Sequence, residues 1–365
     1  MATCKKCGKV SHEIAKVLSL CADCLRQADD MCLAQIDEIH AQSRIKYGLP
    51  ARPPAGGEGV DCRLCQNQCR IPPGERGYCG VRKNVAGQIK GGGPLDGVVC
   101  WYHDPLPTNC VADWVCAGGT ETGYPSWSYK SGPEVGYANL AVFYEACTFN
   151  CLFCQNWHYR QRSTLDQSRT AAELAKAVTA QTSCVCFFGG DPTPQIQHAL
   201  NATQLARKQN DSHILRICWE TNGSMAPKLL DEMLNLSLVS GGCVKIDLKA
   251  MDANIHFALC GVSNHRTLEN FATAALRIHE RPDPPLLVAS TLLVPGYIDE
   301  KEVKTIASFI ADLDVNIPYA LLGFHGDFLM ADLPRTTREQ AQRCLAAAKE
   351  AGLTRVRIGN EHILR

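Results

Sequence analysis

A chain of 365 residues, 45% hydrophobic and 20% charged, can bury one large core and carry smaller appended modules. Its 37 lysines and arginines balance 37 aspartates and glutamates, so no global field draws it to nucleic acid or an anionic membrane, and a nucleic-acid partner is not expected. The start, MATCKKCGKV, lacks an apolar signal segment and no run approaches 18 uninterrupted apolar residues, which predicts a cytoplasmic protein without a membrane span.

In that reducing compartment the 21 cysteines read as metal ligands or buried thiols rather than as disulfides. CKKC and CADC bring Cys4, Cys7, Cys21 and Cys24 onto two tight knuckles at zinc-ribbon-like spacing. A structural Zn2+ would supply the stability that so small a module cannot obtain from burial. AQIDEIHAQSRIKYG, residues 34–48, has helical spacing and ends on glycine. The proline- and glycine-rich stretch 50–59 sets a boundary, so residues 1–49 form the first unit. CRLCQNQCRIPPGERGYCG follows with Cys62, Cys65, Cys69 and Cys79, a set that suits either zinc or an auxiliary iron–sulfur cluster. Residues 91–134 are weakly periodic and carry Cys100, Cys110 and Cys116. Residues 50–134 therefore read as a cysteine-rich wrapping segment.

From residue 135 onward the pattern alternates between apolar runs and helical segments. ANLAVFYEA, CVCFFGG, ILRICWETNG, CVKIDLKA, LLVASTLLVPG, NIPYALLGF and TRVRIG read as strands. Helices are predicted between them, among them 169–181, 194–209 and 266–280. This is a βα repeat with a parallel sheet. FFGGDPTPQ, WETNG, KIDLK and TLLVPGY place polar residues at four successive strand ends, which favours a full or partial barrel over an open sheet with a single switch point.

EACTFNCLFCQN puts Cys147, Cys151 and Cys154 on the loop after the first barrel strand. Three thiolates on three corners of a 4Fe-4S cube would leave the fourth iron open to a ligand. The chain here resembles the radical S-adenosylmethionine (radical SAM) superfamily, whose motif CxxxCxxC these three cysteines reproduce. It is most similar to the branch of pyruvate formate-lyase activating enzyme and of AmmeMemoRadiSam-type proteins, in CQNWHYRQ, FGGDPTPQ, ETNG, KIDLKA, TLLVPGYIDE and HGDFLMADLPRTT, and upstream in the segment from Cys62 to Cys79.

The resemblance implies an α/β fold, a partial (β/α)6-type barrel over residues 135–365 with a cysteine-rich N-terminal metal-binding extension. It also implies reductive cleavage of S-adenosyl-L-methionine to methionine and a 5'-deoxyadenosyl radical that abstracts hydrogen from a substrate. Phe153 and Gln155 would pack beside the adenine. Gly189 and Gly190 would let backbone approach the cofactor's amino group, with Asp191 as acceptor for it. Asp247 would help bind a monovalent cation, with Glu220 and Thr221 near that ion. Lys249 would approach the cofactor carboxylate, and Asn222 would reach the cofactor or cap its turn. A reductant such as flavodoxin or ferredoxin is implied, as is a glycyl-radical enzyme or other protein substrate. A small-molecule, peptide or RNA substrate and a non-catalytic zinc scaffold are the alternatives. His325 and Asp327 read either as substrate contacts or as loop anchors, and Cys243 and Cys260 as buried thiols.

Overall fold

The computed structural model describes residues 1–108, 110–165, 167–210 and 213–365. Its main sheet has eight strands: β1 (Val99–Pro105), β2 (Ala138–Tyr144), β3 (Thr182–Gly189), β4 (Arg216–Thr221), β5 (Val244–Asp247), β6 (Leu287–Leu293), β7 (Tyr319–Gly323) and β8 (Val356–Gly359). They lie side by side in chain order, with β1 and β8 at opposite edges. Strands β2 to β8 run parallel. Each central strand is buried almost throughout, for example Val185, Phe187, Ile217, Trp219, Val244 and Ile246, as a sheet covered on both faces requires. The architecture is α/β with an unclosed barrel, and its seven parallel strands are the seven that the repeat marks, one more than a (β/α)6 count.

Three elements differ from the sequence reading. The wrapping segment contributes β1, which pairs antiparallel with β2. Its weak signal has a physical cause: it is an edge strand whose Cys100, Tyr102 and His103 stay exposed, so no apolar alternation is imposed on it. The helix expected over 169–181 is shorter, Ala171–Lys176. It opens with a reciprocal capping box between Thr170 and Glu173. A helix not read from the sequence, Ala253–Cys260, is capped by Asp252 and ends at Gly261, where φ is +69°.

After β1 the chain crosses the concave face of the sheet to its far edge. Asp113 meets Arg357 of β8 at 2.8 Å. Behind this strap Arg216 bonds Glu134 at 3.0 Å and the Trp127 carbonyl at 2.7 Å. The N-terminal unit shares the core of the barrel: Ile14, Leu18, Leu25 and Ile36 belong to the same buried cluster as Leu259, Tyr297 and Ile298. The Tyr297 hydroxyl donates to the Leu20 carbonyl and accepts from the Ala15 N–H, each at 3.0 Å. Among the described residues no helix is long and apolar enough to cross a membrane.

Candidate active site

The loop from Cys147 to Cys154 leaves β2 at its C-terminal end. Its backbone lies on the end of helix Ala253–Cys260: Asn150 N–H donates to the Cys260 carbonyl and Leu152 N–H to that of Leu259, both at 2.9 Å. Asn150 is the knot beneath the loop. Its amide nitrogen donates to His40 Nδ1 at 3.0 Å and to Ser43 Oγ at 2.8 Å, both on helix Asp30–Ile45 of the N-terminal unit. His40 Nε2 meets the Ala258 carbonyl at 3.1 Å. That pattern assigns the neutral ring with its proton on Nε2. Burial holds the His40 pKa down at about 4, and the nearby Ala258 and Asn150 bonds oppose this.

The three thiols face an open cavity of about 960 Å³ at the strand ends. Phe153, Gln155, Gly189, Gly190, Asp191, Glu220, Thr221, Asn222, Asp247 and Lys249 line it too, so strand ends far apart in sequence meet around one space. Burial pushes the Cys147 and Cys154 thiols up. Cys151 is pushed up first by its hydrogen bond with Cys260 and then by burial. Without a metal these groups stay protonated. An iron cluster, whose cationic irons bind thiolates outright, fits the donor set. Cys260 lies fully buried on the helix side of Cys151 and does not line the cavity. Cys243 is buried as well.

Sequence reasoning passed over Arg160. It is buried, donates to Asn150 Oδ1 at 3.2 Å and to the Cys151 carbonyl at 3.3 Å, and lies near Cys154 and Cys147. It is therefore a fixed cation beside the thiols, and no spacing rule marks it. Ser290, Leu292 and Leu322 also complete the wall and carried no motif.

Several expected roles acquire a different physical basis. Gly189 has φ +100°, and a Cβ there would stand 2.7 Å from Phe143 Cα; on Gly190 it would stand 2.1 Å from the Ala146 carbonyl oxygen. The glycines are thus required by their approach to β2 and the loop after it. Asp191 is buried and already accepts from Thr193 N–H at 2.8 Å, Thr221 Oγ1 at 2.9 Å and Asn222 N–H at 2.8 Å. It ties the ends of β3 and β4 together. Asn222 Nδ2 donates to Thr148 Oγ1 at 2.8 Å and approaches Cys147 Sγ at 3.8 Å. The two carboxylates expected at a monovalent cation each hold an ammonium: Asp247 pairs with Lys249 at 2.9 Å and Glu220 with Lys245 at 3.0 Å. Lys249 also stands 5.9 Å from the Phe153 ring centre. Asp327 accepts from Trp157 Nε1 at 3.1 Å and caps the turn at Phe328, so it anchors its loop. His325 does not line the cavity.

Away from the cavity, the sulfur atoms of Cys4, Cys7, Cys21 and Cys24 all lie within 4.8 Å of one another. Four sulfurs about 2.3 Å from one tetrahedral ion stand roughly 3.8 Å apart, and Cys7 Sγ is 3.8 Å from Cys21 Sγ. This set fits one ion.

The radical SAM superfamily model matches residues 141–310. The chain is 26% identical over 309 residues to an uncharacterized protein of Methanocaldococcus jannaschii, covering 82% of this chain and 81% of that one. It is 27% identical over 215 residues to pyruvate formate-lyase 1-activating enzyme of Escherichia coli K12, which covers 55% and 79% respectively. With the isethionate sulfite-lyase activating enzyme of Oleidesulfovibrio alaskensis it shares 29% over 185 residues, 50% of this chain and 53% of the relative. The matched stretch runs through the three-thiol loop and its glycine and carboxylate neighbours, so residues 141–310 carry the radical SAM match, in a chain similar to enzymes of the activating-enzyme branch.

Proposed function

We propose that this protein binds a 4Fe-4S cluster on Cys147, Cys151 and Cys154, and that S-adenosylmethionine bound beside it yields the radical that takes a hydrogen atom from a compact substrate. The observation that carries this reading is the convergence of three thiols on one open, glycine-edged cavity. When bound, the cluster supplies one electron and an open iron for the cofactor. The chain's own groups do the rest. Arg160 sets positive charge against the sulfurs, and Asn222 donates toward Cys147. Lys249 offers a cation for a carboxylate, Phe153 and Gln155 offer a wall for an adenine, and Asp191 keeps the strand ends in register. The N-terminal ion is proposed to be Zn2+, the metal that four closely spaced thiolates suit without redox chemistry.

The strap supports a compact substrate. It lies across the sheet below the cavity, where Cys110 donates to Glu220 at 3.4 Å, and so narrows the approach from that side. A second reading, activation of a glycyl-radical enzyme, is favoured by the relatives named as activating enzymes. Oxygen-free protein given S-adenosylmethionine and reduced flavodoxin, ferredoxin or dithionite should form 5'-deoxyadenosine and methionine. Failure to do so with a fully loaded cluster would sink the proposal. A glycyl-radical signal on a co-incubated partner enzyme would replace the compact substrate with the second reading.

A further inference from the structure

The chain contains two complete four-cysteine sets, and they are built to different dimensions. In the set of Cys4, Cys7, Cys21 and Cys24 the sulfurs crowd together as a single tetrahedral ion demands. Cys62, Cys65, Cys69 and Cys79 instead line one small cavity. Among the described residues no sulfur–sulfur contact of the Cys7–Cys21 kind joins them.

The walls of this cavity suit an anionic cluster. Tyr78 N–H donates to Cys69 Sγ at 3.4 Å. Such N–H···S bonds stabilise cluster thiolates and tune their potential. Arg82 lines the space. At Gly77 a Cβ would press on Ile71 Cδ1 at 3.0 Å and reach Cys69 Sγ at 3.7 Å, so the glycine keeps the turn from closing onto the sulfur. A cubane places its own irons and sulfides between its ligands, whereas a lone zinc draws them together.

We propose that Cys62, Cys65, Cys69 and Cys79 hold an iron–sulfur cluster of the 4Fe-4S type with all four corners closed by protein. The site abuts the three-thiol loop. Asn67 Nδ2 donates to the Thr148 carbonyl at 2.8 Å, and Gln66 N–H to the Ser224 carbonyl at 3.0 Å. Thr148 lines this cavity, while its neighbour Cys147 lines the active-site cavity. The two sites therefore adjoin at Cys147 and Thr148.

The test uses the full chain purified without oxygen, with iron, zinc and acid-labile sulfide measured per chain. The triple variant Cys147→Ala, Cys151→Ala, Cys154→Ala should keep about four irons and matching sulfide, and the wild type about eight. Zinc in place of iron in the triple variant, or neither metal beyond the N-terminal ion, overturns the proposal. A second arm covers a triple variant that does not fold. The quadruple variant of Cys62, Cys65, Cys69 and Cys79 to alanine should lose half of the wild-type iron, and an unchanged iron count overturns the proposal. In the reduced wild type, the paramagnetic resonance signal should be broadened by magnetic interaction relative to the sum of the two variants' signals, and a simple sum overturns the adjacency. Because this readout counts metal rather than turnover, an inactive protein with two clusters would defeat the proposed function and leave this site standing.

Discussion

The rim of the barrel and its interior are both rich in cysteine, yet their surroundings give the same side chain opposite fates. At the rim, Cys147, Cys151 and Cys154 face open space with a glycine edge and a guanidinium at their back. In the interior, the thiols meet the ammonium of Lys245. Its ammonium stands 3.0 Å from Cys110 Sγ, 3.0 Å from Cys186 Sγ and 3.0 Å from Glu220 Oε1, while Cys218 and Cys243 lie buried in the same layer. The strap packs Ala112 and Val115 onto this layer and leaves a pocket lined by its thiols. The same thiol thus meets glycine backbone and a guanidinium at the rim, and an ammonium and an apolar cover in the interior.

The sharpest way to break this contrast is to remove each set in turn. The rim variant Cys147→Ala, Cys151→Ala, Cys154→Ala should reduce 5'-deoxyadenosine formation to the level seen without enzyme, measured by chromatography under reductant. The interior pair Cys218→Ala, Cys243→Ala should retain it, at a packing cost of about 1–2 kcal/mol. Equal loss in both would erase the distinction.

Next in size is the N-terminal ion. Metal-linked folding of small four-thiolate modules is worth about 10 kcal/mol, and this module braces the rim through His40 and Ser43. Cys7→Ser with Cys24→Ser should lower Tm by several degrees and weaken cluster retention at the rim, read by calorimetry and iron content. Unchanged iron would show that the brace is dispensable.

The interior makes its own demand. Arg216 and Glu134 form a buried ion pair supported by Ser183. Arg216→Met leaves the carboxylate uncompensated and should cost about 3–5 kcal/mol in urea unfolding, with the rim iron content unaltered in the folded fraction.

Acid should attack the rim first. Burial depresses the pKa of His40 and His256 to about 4, below the unfolded value near 6.5. The unfolded chain therefore binds more protons between those values. The stability these neutral rings permit is complete above pH 6.5 and is lost as pH falls toward 4, by about 3 kcal/mol per ring. Protonation of His40 Nδ1 would also remove its bond from Asn150. His40→Gln should flatten the fall of the urea midpoint between pH 6.5 and 4.5, and an unchanged slope would exclude His40 as its source.

The smallest effect is expected at the glycine edge. Gly190→Ala forces a methyl against the Ala146 carbonyl and should cost about 1–3 kcal/mol while weakening S-adenosylmethionine binding in titration calorimetry. A variant that binds normally would show that the loop yields.

Much of this arrangement was legible because it is local. The strand and helix periods from Ala138 to Gly359, the three-thiol spacing and the polar strand ends are all short-range patterns, and the parallel sheet then brings those ends to one face. Arg160 was not legible, since its value comes from Asn150 and Cys151 folded around it. Nor was strand Val99–Pro105, whose edge position leaves half its side chains unpatterned.

The sequence by itself determined the fold class, the open-cornered cysteine triad and the four-thiol sets, because ligand spacing and hydrophobic period are written in residue order. Only the tertiary structure decided which sulfurs crowd together, which line a cavity and which meet Lys245. Those outcomes depend on how distant segments pack, a distance that no spacing along the chain encodes.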